Sequence, residues 1–391
     1  MASKACIVGW SHSPFGKLDI PDAEGLIAAT VPAALAHAGI APEDVEGIFL
    51  GTYNSGFMPQ GFEAGLVGMA VPALRHVPAV RLENACATGS AALYSALDFI
   101  EAGRGRIALV VGVEKMTAIA PAEAAALMIH ASYVPEEGHF ILGFAGVFGH
   151  IAQSYFQRFG DQSDALAMIA AKNHRHAVAN PLAHMPRDLG FDFCNTVSDR
   201  NPLVAGPLRR TDCSPISDGA AVLVLASEDV AAGLPRAIRF RARRHVNDFM
   251  ALSRREAPYV FEGAARAWAG ALEDAGVTLD DLDLVETHDC FTIAEMLEYE
   301  AMGLAPRGEG HRVIREGVTA RDGRLPVNLS GGLKARGHPL GATGVSMHVM
   351  AAMQLAGEAG AMQRPGATLA GVFNMGGAAV ANYTSILERA Q

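Results

Sequence analysis

Apolar and polar positions along the chain follow two patterns, short apolar runs typical of buried strands and longer stretches with helical spacing. The segment 34–52, ALAHAGIAPEDVEGIFLGT, is similar to the segment 271–289, ALEDAGVTLDDLDLVETHD. In each copy a helix is predicted to end at an Ala-Gly pair, at Gly39 and at Gly276, before an acidic stretch and an apolar strand. This recurrence indicates a duplicated half-domain.

Two further pairs of segments recur in the same order. The segments 80–100 and 327–353 each predict a strand, a turn of small residues and a long buried helix. The apolar runs 109–116 and 368–375 each predict a core strand. Near-continuous apolar strands are typical of sheets that helices cover on both faces. The sequence therefore predicts an α/β fold with mixed or mostly parallel sheets, arranged as a layered α/β/α/β/α body.

The segment 117–205 has no counterpart in the second half of the chain. We expect it to be an inserted loop domain that covers the site, because long insertions in α/β enzymes often form its wall or lid. The N-terminal half is then predicted to comprise 1–116 and 206–250, and the C-terminal half 251–391. Apolar residues in and beside the insertion either line the site or pack a small core of their own, and these are Met116, Met128, Phe140, Phe144 and Phe148.

Composition narrows the class of protein. The chain has 391 residues, of which 50% are hydrophobic and 18% charged, with a formal net charge of −10, which is typical of a soluble globular protein. It has no long basic run, so we expect neither nucleic acid nor an anionic membrane as a partner. The stretch 337–357, free of acidic and basic side chains apart from histidine, predicts a buried helix rather than membrane insertion. Five cysteines without CxxC spacing predict a reducing compartment, no disulfide scaffold and no zinc site.

Cys86 stands in the sequence ENACATGSAA, where its neighbours are too small to bury it. It precedes a helix predicted over 87–100, and the backbone N–H groups and dipole of a helix N-terminus favour a thiolate and a developing oxyanion. A nucleophile is expected at such a position. The spacing alone fits a small buried cysteine equally well.

Two further motifs carry candidate chemistry. His338 lies in the loop GGLKARGHPLGATG, at the place in the second half that corresponds to the Cys86 turn, and an imidazole there can take the thiol proton. The motif HDCF follows a predicted strand, where catalytic groups of α/β sheets gather, and it contributes His288 and Cys290. His288 is expected to donate to a carbonyl oxygen, and Cys290 to move a proton to and from substrate, although it also fits a small core residue.

Four motifs in this order, ENACATGSAAL, PLRRTDCSPISDGAAV, HDCF and GGLKARGHPLGATG, resemble those of the thiolase superfamily, in particular the sterol-carrier-protein-type branch. The resemblance runs from IVGWSHSPFGK near the N-terminus to NMGGAAV near the C-terminus. It implies the five-layer thiolase fold and acyl transfer between acyl-CoA and CoA, with CoA as a substrate and with no metal or other cofactor. It also implies a homodimer or homotetramer.

The resemblance assigns roles to matching positions. It implies that Cys86 is the nucleophile that becomes acylated and that His338 activates it. Oxyanion holes are implied for His288 with His338 and for the backbone N–H groups of Cys86 and Gly376. Ser214 matches a residue that touches the pantetheine arm of CoA. Most thiolases place an acid/base cysteine near the C-terminus, where this chain has Asn374, and in the sterol-carrier-type branch the cysteine of HDCF, here Cys290, takes over.

Other functions stay open at this point. An acyltransferase to a non-CoA acceptor, in complex with a small zinc-ribbon/OB-fold partner, uses much the same cysteine and histidines. A retro-aldol lyase fits less well because the nucleophile motif is kept, and a ketosynthase fits less well because the GHP loop is thiolase-like. A non-catalytic acyl- or lipid-binding scaffold is the non-enzymatic alternative. The C-terminal SILERAQ is unlike a peroxisomal Ser-Lys-Leu signal, so we expect a cytoplasmic protein.

Overall fold

The computed structural model describes residues 4–390. The strands are β1 (Ala5–His12), β2 (Gly47–Gly51), β3 (Ala79–Leu82), β4 (Ile107–Glu114), β5 (Leu203–Ala205), β6 (Leu208–Arg209), β7 (Gly219–Ser227), β8 (Ile238–Asn247), β9 (Leu284–Glu286), β10 (Leu369–Gly376) and β11 (Ala381–Arg389). The α-helices are α1 (Ala23–Ala38), α2 (Leu66–Ala70), α3 (Thr88–Glu101), α4 (Pro121–Met128), α5 (Val134–Glu137), α6 (Phe144–Phe159), α7 (Ser163–Ala177), α8 (Phe191–Asn195), α9 (Glu228–Ala231), α10 (Glu262–Ala275), α11 (Thr292–Ala301), α12 (Gly310–Arg315), α13 (Gly332–Arg336) and α14 (Leu340–Ala356).

The strands form a mixed sheet in two halves. Its order is β3-β2-β4-β7-β1-β8-β11-β10-β9, with a separate pair formed by β5 and β6. β2 runs parallel to β3 and to β4, and β9 runs parallel to β10, while the remaining pairs are antiparallel. Within the sheet, the strands β3-β2-β4-β7-β1 are joined to the strands β8-β11-β10-β9 where Cys6 and Ile7 of β1 pair with Arg239 and Ile238 of β8.

Helices cover both halves and fill the space between them. α1 packs on β1 and β7, and α10 packs on β8 and β11. α3 and α14 lie against each other in the middle, where α14 contacts β4 and β7 of one half and β10 and β11 of the other. α14 is buried along almost its whole length, which explains its run of apolar and small residues. The predicted five-layer α/β fold is confirmed.

The duplication is visible in matching elements of the two halves. α1 and α10 each end at a glycine in the left-handed conformation, Gly39 with φ 71° and Gly276 with φ 63°. The strands that follow, β2 and β9, occupy the predicted apolar runs. β4 and β10 are fully buried, as expected of core strands.

One predicted strand is shorter than the sequence pattern indicates. The run beginning at Val327 makes a single bridge to Val285, because the next residue, Asn328, turns the chain into the left-handed conformation at φ 58°. Asn328 donates its N–H to the Val285 carbonyl and accepts from the Thr287 N–H through its side chain. The turn therefore locks this run onto the segment that leads into HDCF.

The segment 117–205 contains helices α4 to α8 and strand β5. Its helices pack on the second half through α7, which contacts α11, α12 and α13, and through α6, which contacts α11. Its treatment as a separate domain stays a prediction. No helix among residues 4–390 is long and apolar enough to cross a membrane.

Candidate active site

Cys86 stands in a tight turn between β3 and α3. Ala85 adopts φ 50°, a left-handed conformation that costs an L-residue about 1–2 kcal/mol. The hydroxyl of Thr88 accepts from the Asn84 N–H at 2.8 Å and donates to the Ala85 carbonyl at 2.7 Å, which closes the turn around Cys86. The turn holds Cys86 two residues before Thr88, the first residue of α3. Its sequence neighbours are small, as noted above, but the side chain is nevertheless buried because Tyr53, Met116 and Leu340 pack in the same cluster.

His338 lies in the loop between α13 and α14, and its hydrogen bonds define its tautomer. The Thr343 hydroxyl donates to the Pro339 carbonyl at 2.8 Å, so its oxygen is the acceptor for His338 Nδ1, at 2.7 Å. The ring hydrogen is therefore on Nδ1, and Nε2 carries a lone pair. Nε2 is buried and has no hydrogen-bond partner among residues 4–390. This nitrogen is consequently free to take a proton.

His288 meets His338 edge to face, with ring centroids 5.1 Å apart and an interplanar angle of 89°. The Sγ of Cys86 and a ring nitrogen of each histidine all lie within 4.8 Å of one another. Nδ1 of His288 is 2.9 Å from the side-chain nitrogen of Asn374, whereas Nε2 has no partner in the described chain. The structure thus brings together one thiol and two imidazoles that come from separate motifs.

Asp289 joins the HDCF motif to the GHP loop. It accepts from the backbone N–H groups of Leu333 and Lys334 at the start of α13, and from Asn173 of α7 at 2.7 Å. Gly332 leaves room for this carboxyl group, since a Cβ there would lie 2.2 Å from Asp289 Oδ2. The loop that carries His338 is therefore fixed to the motif that carries His288 and Cys290.

Two other buried carboxyl groups support the same region. Glu298 of α11 accepts from the Thr287 hydroxyl and from the His288 N–H. Glu114, at the end of β4, accepts from the N–H groups of Tyr53, Asn54 and Gly341, which ties the start of α14 to the first half. Burial raises the pKa of Glu114 to about 6 and that of Glu298 well above its usual range.

An apolar cavity of about 160 Å³ opens beside these groups. Cys86, Cys290 and His338 line one part of it, and Ser214 borders it and donates its N–H to the Cys290 carbonyl at 2.9 Å. The remaining wall is mostly apolar and includes Met128, Leu142, Phe144, Ile216, Phe291 and Leu340. Five apolar residues in and beside the insertion were expected either to line the site or to pack a small core, and two of them, Met128 and Phe144, line the cavity. Phe148 instead stacks on Phe291 with centroids 4.7 Å apart.

Burial sets the protonation states of the resting site. It raises the pKa of the Cys86 thiol to about 12, which the nearby N–H of Gly377 partly offsets. Burial and the positive charge of Arg336 lower the pKa of His338 to about 3. Burial also lowers the pKa of His288 and raises that of Cys290, each well outside its usual range. The site therefore rests as neutral thiols and neutral imidazoles.

Several contributing residues were not found from the sequence. Thr343 and Asn374 fix ring nitrogens, and the backbone N–H of Gly377 lowers the pKa of the Cys86 thiol. The oxyanion-hole role of the Gly376 N–H stays a prediction. Gly376 allows the end of β10 to approach the turn that carries Cys86, because a Cβ there would lie 2.4 Å from the Asn84 carbonyl oxygen. The GHP motif indicated His338 but not the role of the threonine five residues later. The sequence indicated Asn374 only as the residue at a position where the thiolase resemblance implies a cysteine.

Comparison with known proteins places this geometry in a family. The thiolase N-terminal domain model matches residues 5–188, and the thiolase C-terminal domain-like model matches residues 245–389. The acetyl-CoA acetyltransferase of Methanothermobacter thermautotrophicus is 34% identical over 95% of this chain and 96% of its own length. Human sterol carrier protein 2 is 33% identical over 77% of this chain and 56% of its own length.

Solved structures show the same fold. The Ltp2-ChsH2(DUF35) aldolase superposes with a TM-score of 0.82 and 20% identity, over 98% of this chain and 97% of that one. Human mitochondrial 3-ketoacyl-CoA thiolase in complex with CoA superposes with a TM-score of 0.75 and 19% identity, over the whole of both chains. The chain therefore belongs to the thiolase family and is an enzyme of the acyltransferase class.

Proposed function

We propose that this protein is a thiolase that transfers a short acyl group between CoA thioesters through a covalent thioester on Cys86. The observation that carries the proposal is the convergence of the Cys86 thiol with His288 and His338, within 4.8 Å, at the wall of an apolar cavity. Relatives named acetyl-CoA acetyltransferase, and a thiolase neighbour that holds CoA, support CoA as the substrate carrier.

In the first half-reaction, Nε2 of His338 takes the proton of Cys86, and the sulfur attacks the 3-keto carbon of a 3-ketoacyl-CoA. The bond between C2 and C3 breaks, the acyl group stays on Cys86, and acetyl-CoA leaves as its enolate. A donor N–H from Nε2 of His288 stabilises the enolate oxygen, and Cys290 gives its proton to C2. Splitting the transfer into two steps lowers the barrier of each.

In the second half-reaction, the CoA thiol gives its proton to the Cys290 thiolate and attacks the acyl group. Cys86 leaves as a thiolate and recovers its proton from His338. Both half-reactions need the proton transfers to occur with substrate bound, because the resting thiols and imidazoles are neutral. The cavity, of about 160 Å³, is smaller than the 300–1,000 Å³ typical of drug-sized ligand sites and favours a short acyl group.

Assembly and cellular setting belong to the same proposal. β3 lies at the edge of the sheet, and Val80 on it is 46% exposed, which supports pairing with a second copy in a homodimer. The proposed assembly is a homodimer or a homotetramer. Lipid metabolism in the cytoplasm is the setting we propose.

The test is the CoA-dependent loss of the enolate absorbance of acetoacetyl-CoA. We expect turnover of acetoacetyl-CoA by the wild type and none by Cys86→Ala. Turnover that persists in Cys86→Ala, or its absence in a wild type whose Cys86 is never acylated, would contradict it.

Cys290→Ala separates the two proton-transfer roles. We expect Cys86 of this variant to be acylated measurably by acetyl-CoA, because His338 still activates the thiol and a CoA thiolate is a weak enough base to leave without the proton of Cys290. Carbon–carbon bond formation and cleavage, which need a proton transfer at C2, should fall by at least about a hundredfold. Acylation is followed by intact-protein mass, and the second step by acetoacetyl-CoA turnover. Equal loss of both steps in Cys290→Ala counts against this division of roles.

A second candidate is acyl transfer to a non-CoA acceptor with a small zinc-ribbon/OB-fold partner. Ile141 is 89% exposed and Leu142, which lines the cavity, is 45% exposed, so a partner that covers them would close the cavity. The aldolase neighbour is named with a DUF35 protein, which also supports this candidate. Acylated Cys86 without CoA-dependent turnover would favour it over the thiolase.

A further inference from the structure

Asn374 is fully buried and lies between the turn that carries Cys86 and the side chain of His288. Its side-chain oxygen accepts from the Ser90 hydroxyl at 2.7 Å. Its side-chain nitrogen lies 3.2 Å from the Cys86 carbonyl oxygen and 2.9 Å from His288 Nδ1. A carbonyl oxygen only accepts hydrogen bonds, so the NH₂ group of Asn374 must face Cys86 and His288.

This orientation determines the tautomer of His288. Because Asn374 donates to Nδ1, that nitrogen must carry the lone pair, and the ring hydrogen must be on Nε2. Nε2 is the nitrogen that is buried without a partner in the described chain. His338 has the opposite arrangement, since its Nδ1–H donates to Thr343 and its Nε2 carries the lone pair. One histidine is thus a donor at Nε2 and the other an acceptor.

The same cluster has the donor set of a zinc site. A cysteine sulfur and two histidine nitrogens within 4.8 Å are ligands that zinc binds readily, with an open position left for water. Each ligating nitrogen must offer a lone pair to the metal, and a metal-bound histidine ordinarily donates its other N–H to an oxygen. His288 meets neither condition, because Nε2 holds the hydrogen and Nδ1 faces the N–H of Asn374.

We propose that Asn374 is a positioning residue that holds His288 in the Nε2–H tautomer and thereby keeps the Cys86, His288 and His338 cluster from binding zinc. Zinc at His288 would require the hydrogen to move to Nδ1, where it would meet the N–H of Asn374. Rotating the Asn374 amide to avoid this contact would set its oxygen against the Cys86 carbonyl. The use of Nε2–H as a donor to substrate rests on the proposed function, whereas the exclusion of zinc does not.

Asn374→Asp tests the proposal, because a carboxylate accepts from His288 Nδ1–H and leaves the Nε2 lone pair free. We expect the zinc affinity of the purified, reduced protein, measured by competition with a chromogenic chelator, to rise by about 10- to 100-fold over the wild type. The gain should disappear in the double variant Asn374→Asp/Cys86→Ala, which removes the sulfur ligand. Equal zinc affinity of the wild type and Asn374→Asp, or a gain that survives loss of Cys86, would overturn the proposal.

A measurement on the wild type keeps the proposal testable if the variant does not fold. The ¹⁵N shifts of histidine-labelled protein distinguish protonated from unprotonated ring nitrogens, and the His288 signals are assigned by their loss in His288→Gln. We expect a protonated Nε2 and an unprotonated Nδ1 in His288. The reverse pattern would overturn the proposal for Asn374 even in an enzyme with full thiolase activity. Failure of this proposal can therefore be distinguished from failure of the proposed thiolase function.

Discussion

At the scale of single residues, the site depends on which nitrogen of each histidine carries hydrogen. Thr343 places the ring hydrogen of His338 on Nδ1. Its hydroxyl already donates to the Pro339 carbonyl, so its oxygen accepts from the ring. Nε2 of His338 then carries the lone pair and has no hydrogen-bond partner among residues 4–390, and His338 lines the cavity. The Thr343 hydroxyl therefore sets the tautomer of the imidazole that we propose as the proton acceptor.

Thr343→Val should lower kcat by about 10- to 100-fold and leave KM nearly unchanged, since it removes the hydroxyl that orients the base and keeps the shape of the side chain. Steady-state thiolysis of acetoacetyl-CoA measures both constants. Thr343→Ser keeps the hydroxyl and serves as the matched control, with kcat close to that of the wild type. A kcat loss of the same size in both variants would mean that packing, and not the hydrogen bond, is responsible.

At the scale of elements, the site is formed where the starts of α3 and α14 approach each other. Gly89 of α3 makes this approach possible, because a Cβ there would lie 2.7 Å from the Val345 N and 2.8 Å from the Gly341 carbonyl oxygen. Cys86 precedes one of these helices, and His338 precedes the other. The distance between thiol and base is therefore a consequence of helix packing.

Gly89→Ala should destabilise the protein by about 1–3 kcal/mol and reduce activity, since the added methyl group meets backbone atoms that cannot move alone. Thermal unfolding and acetoacetyl-CoA turnover measure the two effects. Gly61→Ala is the matched control, because a Cβ at Gly61 has no atom within 4 Å. Wild-type stability and activity in Gly89→Ala would show that the two helices are not held this closely.

Many of the helices and strands could be predicted from the sequence, whereas contacts between distant segments of the chain could not. The duplicated pattern predicted α1, α10 and the buried core strands, and the motifs indicated Cys86 and His338, because in each case a short stretch of chain carries the signal. Asn374 and Ser90 meet across 284 positions, so their contact depends on how the halves pack. The strand expected from Val327 fails because Asn328 turns the chain toward HDCF.

At the scale of the whole molecule, the interior holds many neutral histidines. Burial lowers the pKa of His12, His174, His176 and His338 to about 3 and that of His348 to about 4, and it lowers that of His288 well below its usual range. Near pH 5 these groups bind protons only in the unfolded chain, so acid favours unfolding. Glu114, Asp289 and Glu298, with raised pKa values, bind protons in the folded state and offset part of this effect.

The free energy of unfolding should therefore fall as pH decreases from 7 to 5, because the histidines with lowered pKa values outnumber the carboxyl groups with strongly raised ones. Urea unfolding followed by circular dichroism at each pH measures the change, and recovery of the midpoint on return to pH 7 serves as the control. A midpoint that is constant or rises toward pH 5 would show that the buried carboxyl groups dominate.

The proposed mechanism depends on a covalent acyl group on Cys86, and intact-protein mass spectrometry tests for this group most directly. The protein is incubated with acetoacetyl-CoA in the absence of free CoA, beside Cys86→Ala. We predict that the wild type gains the mass of one acetyl group, that added CoA removes it, and that Cys86→Ala gains none. An unmodified wild type, or the same mass gain in Cys86→Ala, would contradict the proposed mechanism.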